Sequence, residues 1–218
     1  SRLWPLSTED SPKQFQSFVG DKTLLQQTVE RILDLNLEYP PIFITQEKYR
    51  FLIQDQLKGY CPHSKIILEP FGKNTGPASA VASYYIQSNF PDSIAVIFPC
   101  DHLISNDDQF KDSIKNGIKS AKQKKIVTFG IKPTKLHTGY GYIQQGLKNQ
   151  NGSYEVKSFH EKPSAQKAQQ YLKDSSFFWN SGIYMFKPEI LLKEFSSRYG
   201  SIVENSINSL DNHKRDGN

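Results

Sequence analysis

Ile94-Ala95-Val96-Ile97-Phe98, continuing into Pro99-Cys100-Asp101, is an unbroken apolar run of strand length that ends, past a proline, on a carboxylate. A run without polar alternation suits a strand covered on both faces, not one with a wet side. Upstream, residues 41–45 and 65–68 are short apolar strands, and helical spacing marks 25–33, 48–57 and 77–87. Downstream, 108–122 has helical spacing and 126–131 is apolar again. Strand and helix alternate, which predicts an α/β fold with a largely parallel sheet and helices on both faces. In such a sheet ligands bind at the carboxyl ends of the strands, where Asp101 falls.

Local signals punctuate this order. Asp21-Lys22-Thr23 offers caps for the first helix, along which Leu25, Val29, Ile32 and Leu33 form an apolar stripe. Pro77 stands in the first turn of its helix, where a missing N–H costs little. After Lys132 the pattern changes: 140–144 and 154–159 read as strands around a polar turn at 148–153, followed by a helix at 165–172, a strand at 182–186 and a proline-opened helix at 188–195. No repeat is visible, and no linker is long enough to divide the chain, so one domain is expected.

Composition narrows the function classes. The chain has 218 residues, 37% of them hydrophobic, enough for a sizeable core. Its 27 basic and 22 acidic residues give a formal charge of +5, which suits a polyanionic small ligand. The lysines are spread along the chain, not gathered in a stripe, which argues against nucleic acid. No apolar run is long enough to span a bilayer, no signal peptide opens the chain, and Cys61 and Cys100 form no metal-binding or CxxC spacing. These features point to a cytoplasmic protein without a membrane partner.

Several residues carry charge or hydrogen-bonding capacity in positions where a ligand could bind. Arg2 and Lys13 are cations in one short loop stiffened by Trp4, Pro5 and Pro12, and phosphoryl transfer needs fixed positive charge around the phosphates. The plainer reading is a solvated arm. Asp101 can hold Mg²⁺, which prefers oxygen ligands shared with phosphates; it can equally cap a turn. Glu69 and Asn74 flank a turn after a strand, where a carboxylate and an amide could bond a ligand's polar edge, or where Asn74-Thr75-Gly76 could simply cap the next helix. Thr138-Gly139-Tyr140-Gly141-Tyr142 lets backbone approach a ligand, or enters a hairpin. Glu161-Lys162-Pro163 sets a carboxylate beside an ammonium, either for a ligand with hydroxyls and negative charge or as a surface ion pair of little worth. Asn180, before Gly182, is a hydroxyl partner or a turn residue. No Ser-His-Asp order, HExxH or P-loop is present.

Arg2-Leu3-Trp4-Pro5-Leu6-Ser7 followed by Pro12-Lys13-Gln14-Phe15 resembles the signature loop of sugar nucleotidyltransferases. Within that family the resemblance is strongest to the bacterial guanylyltransferases that act on mannose 1-phosphate. Further pieces follow in the family's order: Glu69-Pro70-Phe71-Gly72-Lys73-Asn74-Thr75, Phe98-Pro99-Cys100-Asp101-His102, Thr138-Gly139-Tyr140-Gly141-Tyr142-Ile143, Phe159-His160-Glu161-Lys162-Pro163 and Trp179-Asn180-Ser181-Gly182-Ile183-Tyr184. The resemblance implies a Rossmann-like nucleotidyltransferase fold and transfer of GMP from GTP to mannose 1-phosphate, giving GDP-mannose and pyrophosphate. It implies Arg2, Lys13 and Asp101 as catalytic residues, with Asp101 the Mg²⁺ ligand. It further implies Glu69, Asn74, Thr75 and Asp101 at the nucleotide, and Gly141, Glu161, Lys162 and Asn180 at the sugar phosphate.

The chain departs from the family in places. Family members carry a strand and a Gly-rich loop just before the signature arginine, and a second metal-binding aspartate beyond the equivalent of residue 218. The expectation is therefore a catalytic domain over residues 1–218, incomplete at both ends and lacking the first central strand, and not fully active alone. Cys100 and Gly76 stand where alanine is common in the family. Two other readings stay open: transfer to a different sugar 1-phosphate or from a different nucleotide, and a non-catalytic domain that binds nucleotide or sugar in a regulatory role. The sequence also leaves open whether the chain forms a homo-oligomer.

Overall fold

The structure is a computed structural model that describes residues 6–72 and 74–212. Its residues group into two compact units. The first takes the chain up to residue 85, residues 99–111, and the chain from 195 onward; the second takes 86–98 and 112–194.

The first unit is organised by helix α1, Leu24–Leu33. Thr23 accepts the Gln26 backbone N–H, and the Gln26 side chain accepts the Thr23 N–H, so two orphan donors of the first turn are satisfied reciprocally. Leu25 and Val29 of the apolar stripe are buried, but Leu33 is exposed and Arg31 is buried in its stead. The Arg31 guanidinium reaches the carboxylate of Asp107 at 3.4 Å and lies over the Phe110 ring. Strands β1 (Ile42–Gln46) and β2 (Lys65–Glu69) pair in parallel and are joined through α2 (Arg50–Leu57), as parallel neighbours require a crossover. Phe15, Leu25, Val29, Tyr49, Ile53 and Leu57 form the core beneath them. Helix α3 spans Thr75–Asn89, and Pro77 falls within its first turn, as the sequence predicts.

The second unit holds the larger sheet, built from β3 (Ala95–Ile97), β4 (Val127–Ile131), β5 (Tyr142–Lys148), β6 (Tyr154–His160) and β7 (Phe177–Phe186). Its strands pair antiparallel throughout: β3, β4 and β5 each pair with β7, and β5 also pairs with β6. The expectation of a mostly parallel sheet is corrected here. The alternation β3, helix α4 (Asp107–Lys122), β4 gives β3 and β4 the same direction, but they are not neighbours. The late strand β7 lies between them, with Met185 paired to Val96 on one side and Val127 on the other, and runs the opposite way. The resulting fold is mixed α/β, with a parallel pair in one unit and an antiparallel five-stranded sheet in the other.

Strand β7 starts at Phe177, earlier than the sequence predicts, because the Asn180-Ser181-Gly182 turn signal marks a bulge inside the strand. The step from Thr128 to Gly130 on β4 is matched by the longer step from Tyr184 to Asn180 on β7, and Gly182 takes up the slack at φ +75°. Helix α4 packs tightly on this sheet: a Cβ on Gly117 would lie 2.8 Å from Phe129 and 3.2 Å from the sulfur of Met185. Helix α5 (Ala165–Lys173) places Ala168 and Tyr171 against Tyr142 and Phe177. Helix α6 runs Pro188–Asp211 with a break at Tyr199, well beyond the single short helix expected.

Candidate functional site

Within the first unit, the loop carrying Lys13 is held by the core behind it. Lys13 belongs to a 3-10 turn, Lys13–Phe15, whose Phe15 is buried against Tyr49 with ring centroids 5.6 Å apart. The Tyr49 phenol donates to the carbonyl of Glu9 at 2.7 Å, and the Glu9 carboxylate takes the Lys48 ammonium at 2.9 Å. Gln56 donates to the Phe15 carbonyl. One aromatic anchor and three polar ties thus fix a segment that otherwise has little regular structure, and they leave the Lys13 ammonium pointing at the Asp101 carboxylate as an ion pair. Arg2 lies outside the described residues.

Asp101 follows β3 in the chain and keeps 27% of its side chain exposed. Its Oδ2 receives Lys13, while Oδ1 faces His102 Nε2 at 3.9 Å. Burial holds the His102 imidazole below its ordinary 6.5, opposed by the Asp101 charge and aided by Lys13 and Arg31, so it is neutral at pH 7. Burial likewise pushes the neighbouring Cys100 thiol up to about 11, helped by the Asp101 charge. A thiol so raised is protonated and a poor nucleophile, so Cys100 serves packing and not covalent chemistry.

The donor set decides which metal suits this place. Among the described residues no group of three or more His, Cys, Asp or Glu side chains is placed to hold a metal ion. One carboxylate is too little for zinc or for an all-protein calcium cage. It is enough for Mg²⁺, which keeps waters and completes its shell with phosphate oxygens. Asp101 fits that ion in the company of a phosphorylated ligand.

Glu69 ends β2 beside Gln46, and burial raises its carboxyl above the ordinary 4.5. Gly72 follows so closely that a Cβ there would lie 2.8 Å from the Gln46 amide nitrogen. Asn74 adopts φ +68°, an uncommon conformation that Asn tolerates better than most residues, and both Asn74 and Thr75 are exposed where α3 begins. The three residues therefore lie along one surface turn between β2 and α3.

In the second unit four expected residues meet. Strand β5 lies between β6 and β7, with Tyr142 paired to His160 on one side and Trp179 on the other. One step further along, Gly141, Glu161 and Asn180 come to the same end of the sheet. A Cβ on Gly141 would lie 2.8 Å from Glu161 Oε2, the Gly141 carbonyl accepts the Asn180 N–H at 2.8 Å, and the Tyr140 carbonyl accepts the Lys162 N–H at 3.2 Å. Lys162 has φ +44° immediately before Pro163, a conformation that costs about 1–3 kcal/mol and is concentrated at binding sites. Its ammonium is 3.4 Å from the Glu161 carboxylate, and both side chains are more than half exposed. An exposed pair of this kind gains about 0–1 kcal/mol, so both charges remain open to a ligand.

Asn180 is more engaged than the sequence suggested. Its Oδ1 accepts from Thr128 at 2.9 Å and from the Gly182 N–H at 3.3 Å, and its amide donates to the Tyr184 phenol at 2.9 Å. Both oxygen lone pairs are used, which leaves one N–H for a ligand hydroxyl. Beside this corner stands an aromatic group that the sequence reading passed over. His137 stacks on Tyr140 at 3.7 Å between centroids, and Trp179 meets Tyr140 edge-on at 5.3 Å. The available signal was a histidine two residues before Gly139, the spacing at which a ring nitrogen can take a backbone N–H.

A profile of the nucleotidyl transferase family matches residues 1–217, and the chain belongs to that family. Among curated proteins, it is 43% identical over 205 residues to mannose-1-phosphate guanylyltransferase 2 of Escherichia coli O157:H7, covering 89% of this chain and 42% of that one. It is 38% identical over 219 residues to mannose-1-phosphate guanylyltransferase of Klebsiella pneumoniae, covering 97% of this chain and 46% of that one. The chain thus spans less than half the length of these relatives. A solved structure described as a mannose-1-phosphate geranyltransferase of Thermus thermophilus superposes with a TM-score of 0.84 at 27% identity, covering 98% of this chain and 62% of that one. No helix among the described residues is long and apolar enough to cross a membrane.

Proposed function

We propose that the protein transfers GMP from GTP to mannose 1-phosphate, releasing pyrophosphate. The observation that carries this reading is the meeting of Gly141, Glu161, Lys162 and Asn180 at one end of β5. That corner offers a carboxylate for sugar hydroxyls, an ammonium for a phosphate and an amide N–H, with Gly141 letting the Glu161 side chain lie close against the backbone. The choice of sugar and base is supported by the names of the relatives matched over most of this chain.

In this reading Lys13 and Asp101, with Arg2, serve the triphosphate. The Lys13 ammonium neutralises the Asp101 carboxylate in the ligand-free protein and turns to phosphate oxygens when nucleotide arrives. Asp101 would hold Mg²⁺, which when bound neutralises charge on the phosphates. A phosphate oxygen of mannose 1-phosphate forms the new bond to the α-phosphorus in line, and the bond from that phosphorus to the β-phosphate oxygen breaks. Two anions must meet in this step, and the Lys13 and Lys162 charges offset their repulsion. Lys162 holds the attacking phosphate, Glu161 and Asn180 orient the hexose, and Glu69, Asn74 and Thr75 contact the nucleoside.

The reading is tested by incubating the full-length protein with GTP, mannose 1-phosphate and Mg²⁺ and identifying the product by mass. GDP-mannose with equimolar pyrophosphate is expected; GTP returned intact would refute it.

Glu69 adds a pH signature. As guanine acceptor it must be ionised, and its carboxyl is raised by burial, so proton binding competes with GTP at a higher pH than for an ordinary glutamate. The KM for GTP is expected to rise as pH falls from neutral, and Glu69→Gln to remove that rise while weakening GTP binding at pH 7. For stability the sign is opposite: the burial cost of the carboxylate is fully present above its raised pKa and is relieved as pH falls toward 4.5. Kinetics of both proteins across pH check this; the same pH dependence in both would remove Glu69 from the base contact.

A further inference from the structure

The corner formed by Gly141, Glu161 and Asn180 is only as well placed as the loop that leads into β5. That loop contains Gly139 and Gly141, which make it costly to hold in one conformation. His137 is bonded to it three ways. Its Nδ1 accepts the Gly139 N–H at 3.1 Å, its carbonyl accepts the Tyr142 phenol at 2.9 Å, and its ring lies flat on Tyr140 with planes 6° apart. Trp179 meets the His137 ring edge-on at 6.4 Å and limits its movement from the β7 side. Because Nδ1 is an acceptor, the ring hydrogen of the neutral imidazole is on Nε2. The next two carbonyls, of Tyr140 and Gly141, are those that receive the backbone N–H groups of Lys162 and Asn180. The chain of contacts therefore runs from the His137 ring, through one short loop, to the backbone of two residues assigned to the sugar phosphate.

Little slack exists at the end of this chain. A Cβ on Gly141 would lie 2.8 Å from Glu161 Oε2 and 3.0 Å from the Phe159 ring, so the backbone there fits a glycine and little else without its neighbours moving.

We infer that His137 is a positioning residue for the sugar phosphate: its ring acceptor and its stack on Tyr140 fix the 137–141 loop so that Gly141, Glu161 and Lys162 keep their mutual spacing. This rests on the assignment of that corner to mannose 1-phosphate.

Two variants of the full-length protein separate positioning from a general structural role. H137F keeps a ring to stack on Tyr140 and loses the acceptor. H137N loses the ring and keeps an oxygen able to accept the N–H two residues on. H137F is expected to raise the KM for mannose 1-phosphate about tenfold, the size of one or two lost hydrogen bonds, with the KM for GTP held within about twofold. H137N is expected to recover most of the loss. An unchanged KM for mannose 1-phosphate in H137F, or equal rises for both substrates, overturns the inference. Amide exchange at Gly139 in the substrate-free proteins is the second arm. Faster exchange in H137F and near-normal exchange in H137N supports the pin, and equal exchange in all three overturns it. Because this arm uses no substrate, a wild-type protein that makes no GDP-mannose defeats the proposed function, and the pin is still decided by exchange.

Discussion

Asp101→Asn in the full-length protein is expected to lower turnover at saturating GTP and mannose 1-phosphate by about 100-fold or more, the scale on which loss of one fixed electrostatic contact acts in a transition state. Asparagine keeps the size and one acceptor oxygen but removes the negative charge, so it would hold Mg²⁺ beside the phosphates much more weakly. The fold should be indifferent. Asp101 is partly exposed, and its partner Lys13 has 48% of its side chain in solvent, so no charge is stranded in the interior. An ion pair with that exposure contributes about 0–1 kcal/mol to stability. Steady-state kinetics with Mg²⁺, paired with a thermal melt, separates the two effects: near-normal turnover takes Asp101 out of the site, and a collapsed melting temperature would make the loss structural.

Lys162→Ala carries the second large effect and should act on a different parameter. Hydrogen bonds to a charged group are worth about 1.5–3 kcal/mol, so removing the ammonium is expected to raise the KM for mannose 1-phosphate about 10- to 100-fold, with a much smaller change for GTP. The backbone argument supports a clean reading. Alanine meets the same penalty as lysine at φ +44°, and the Lys162–Glu161 pair is too exposed to matter for folding. Lys162→Met, which keeps the stem and removes the same charge, controls for packing lost with the stem. Unchanged affinity for mannose 1-phosphate in both variants would assign the phosphate to another cation.

Much of the element order could be read from the chain because it rests on local signals. The Thr23 cap, the stripe of α1, the run that became β3 and the periodicity of α4 and α5 each reflect contacts within a few residues. Strand direction could not be read so directly. Nothing in residues 94–98 or 126–131 states that a strand from residue 177 onward will lie between them, and that non-local pairing turned an expected parallel sheet antiparallel. The bulge at Gly182 misled in a similar way, since a glycine after Asn180 and Ser181 is as good a turn signal as a bulge signal. Past Phe195, the break at Tyr199 interrupts the helical pattern where α6 continues.

The candidate site shows the same division. Glu69, Asp101, Glu161 and Lys162 could be picked out as candidates by their chemistry and by the motifs around them. Their company could not. That Gly141, Glu161 and Asn180 share a corner follows from β5 lying between β6 and β7, a matter of register. The engagement of Asn180 by Thr128 and Tyr184, and the stacking of His137 on Tyr140, depend on side chains brought together from separate strands and loops.

The claim on which everything else depends is that guanine nucleotide and mannose 1-phosphate are the pair consumed. The full-length protein offered mannose 1-phosphate with GTP, UTP, dTTP or ATP in turn should release pyrophosphate fastest, by about tenfold or more in kcat/KM, with GTP, a preference worth about 1.4 kcal/mol. Release with UTP and none with GTP would contradict it.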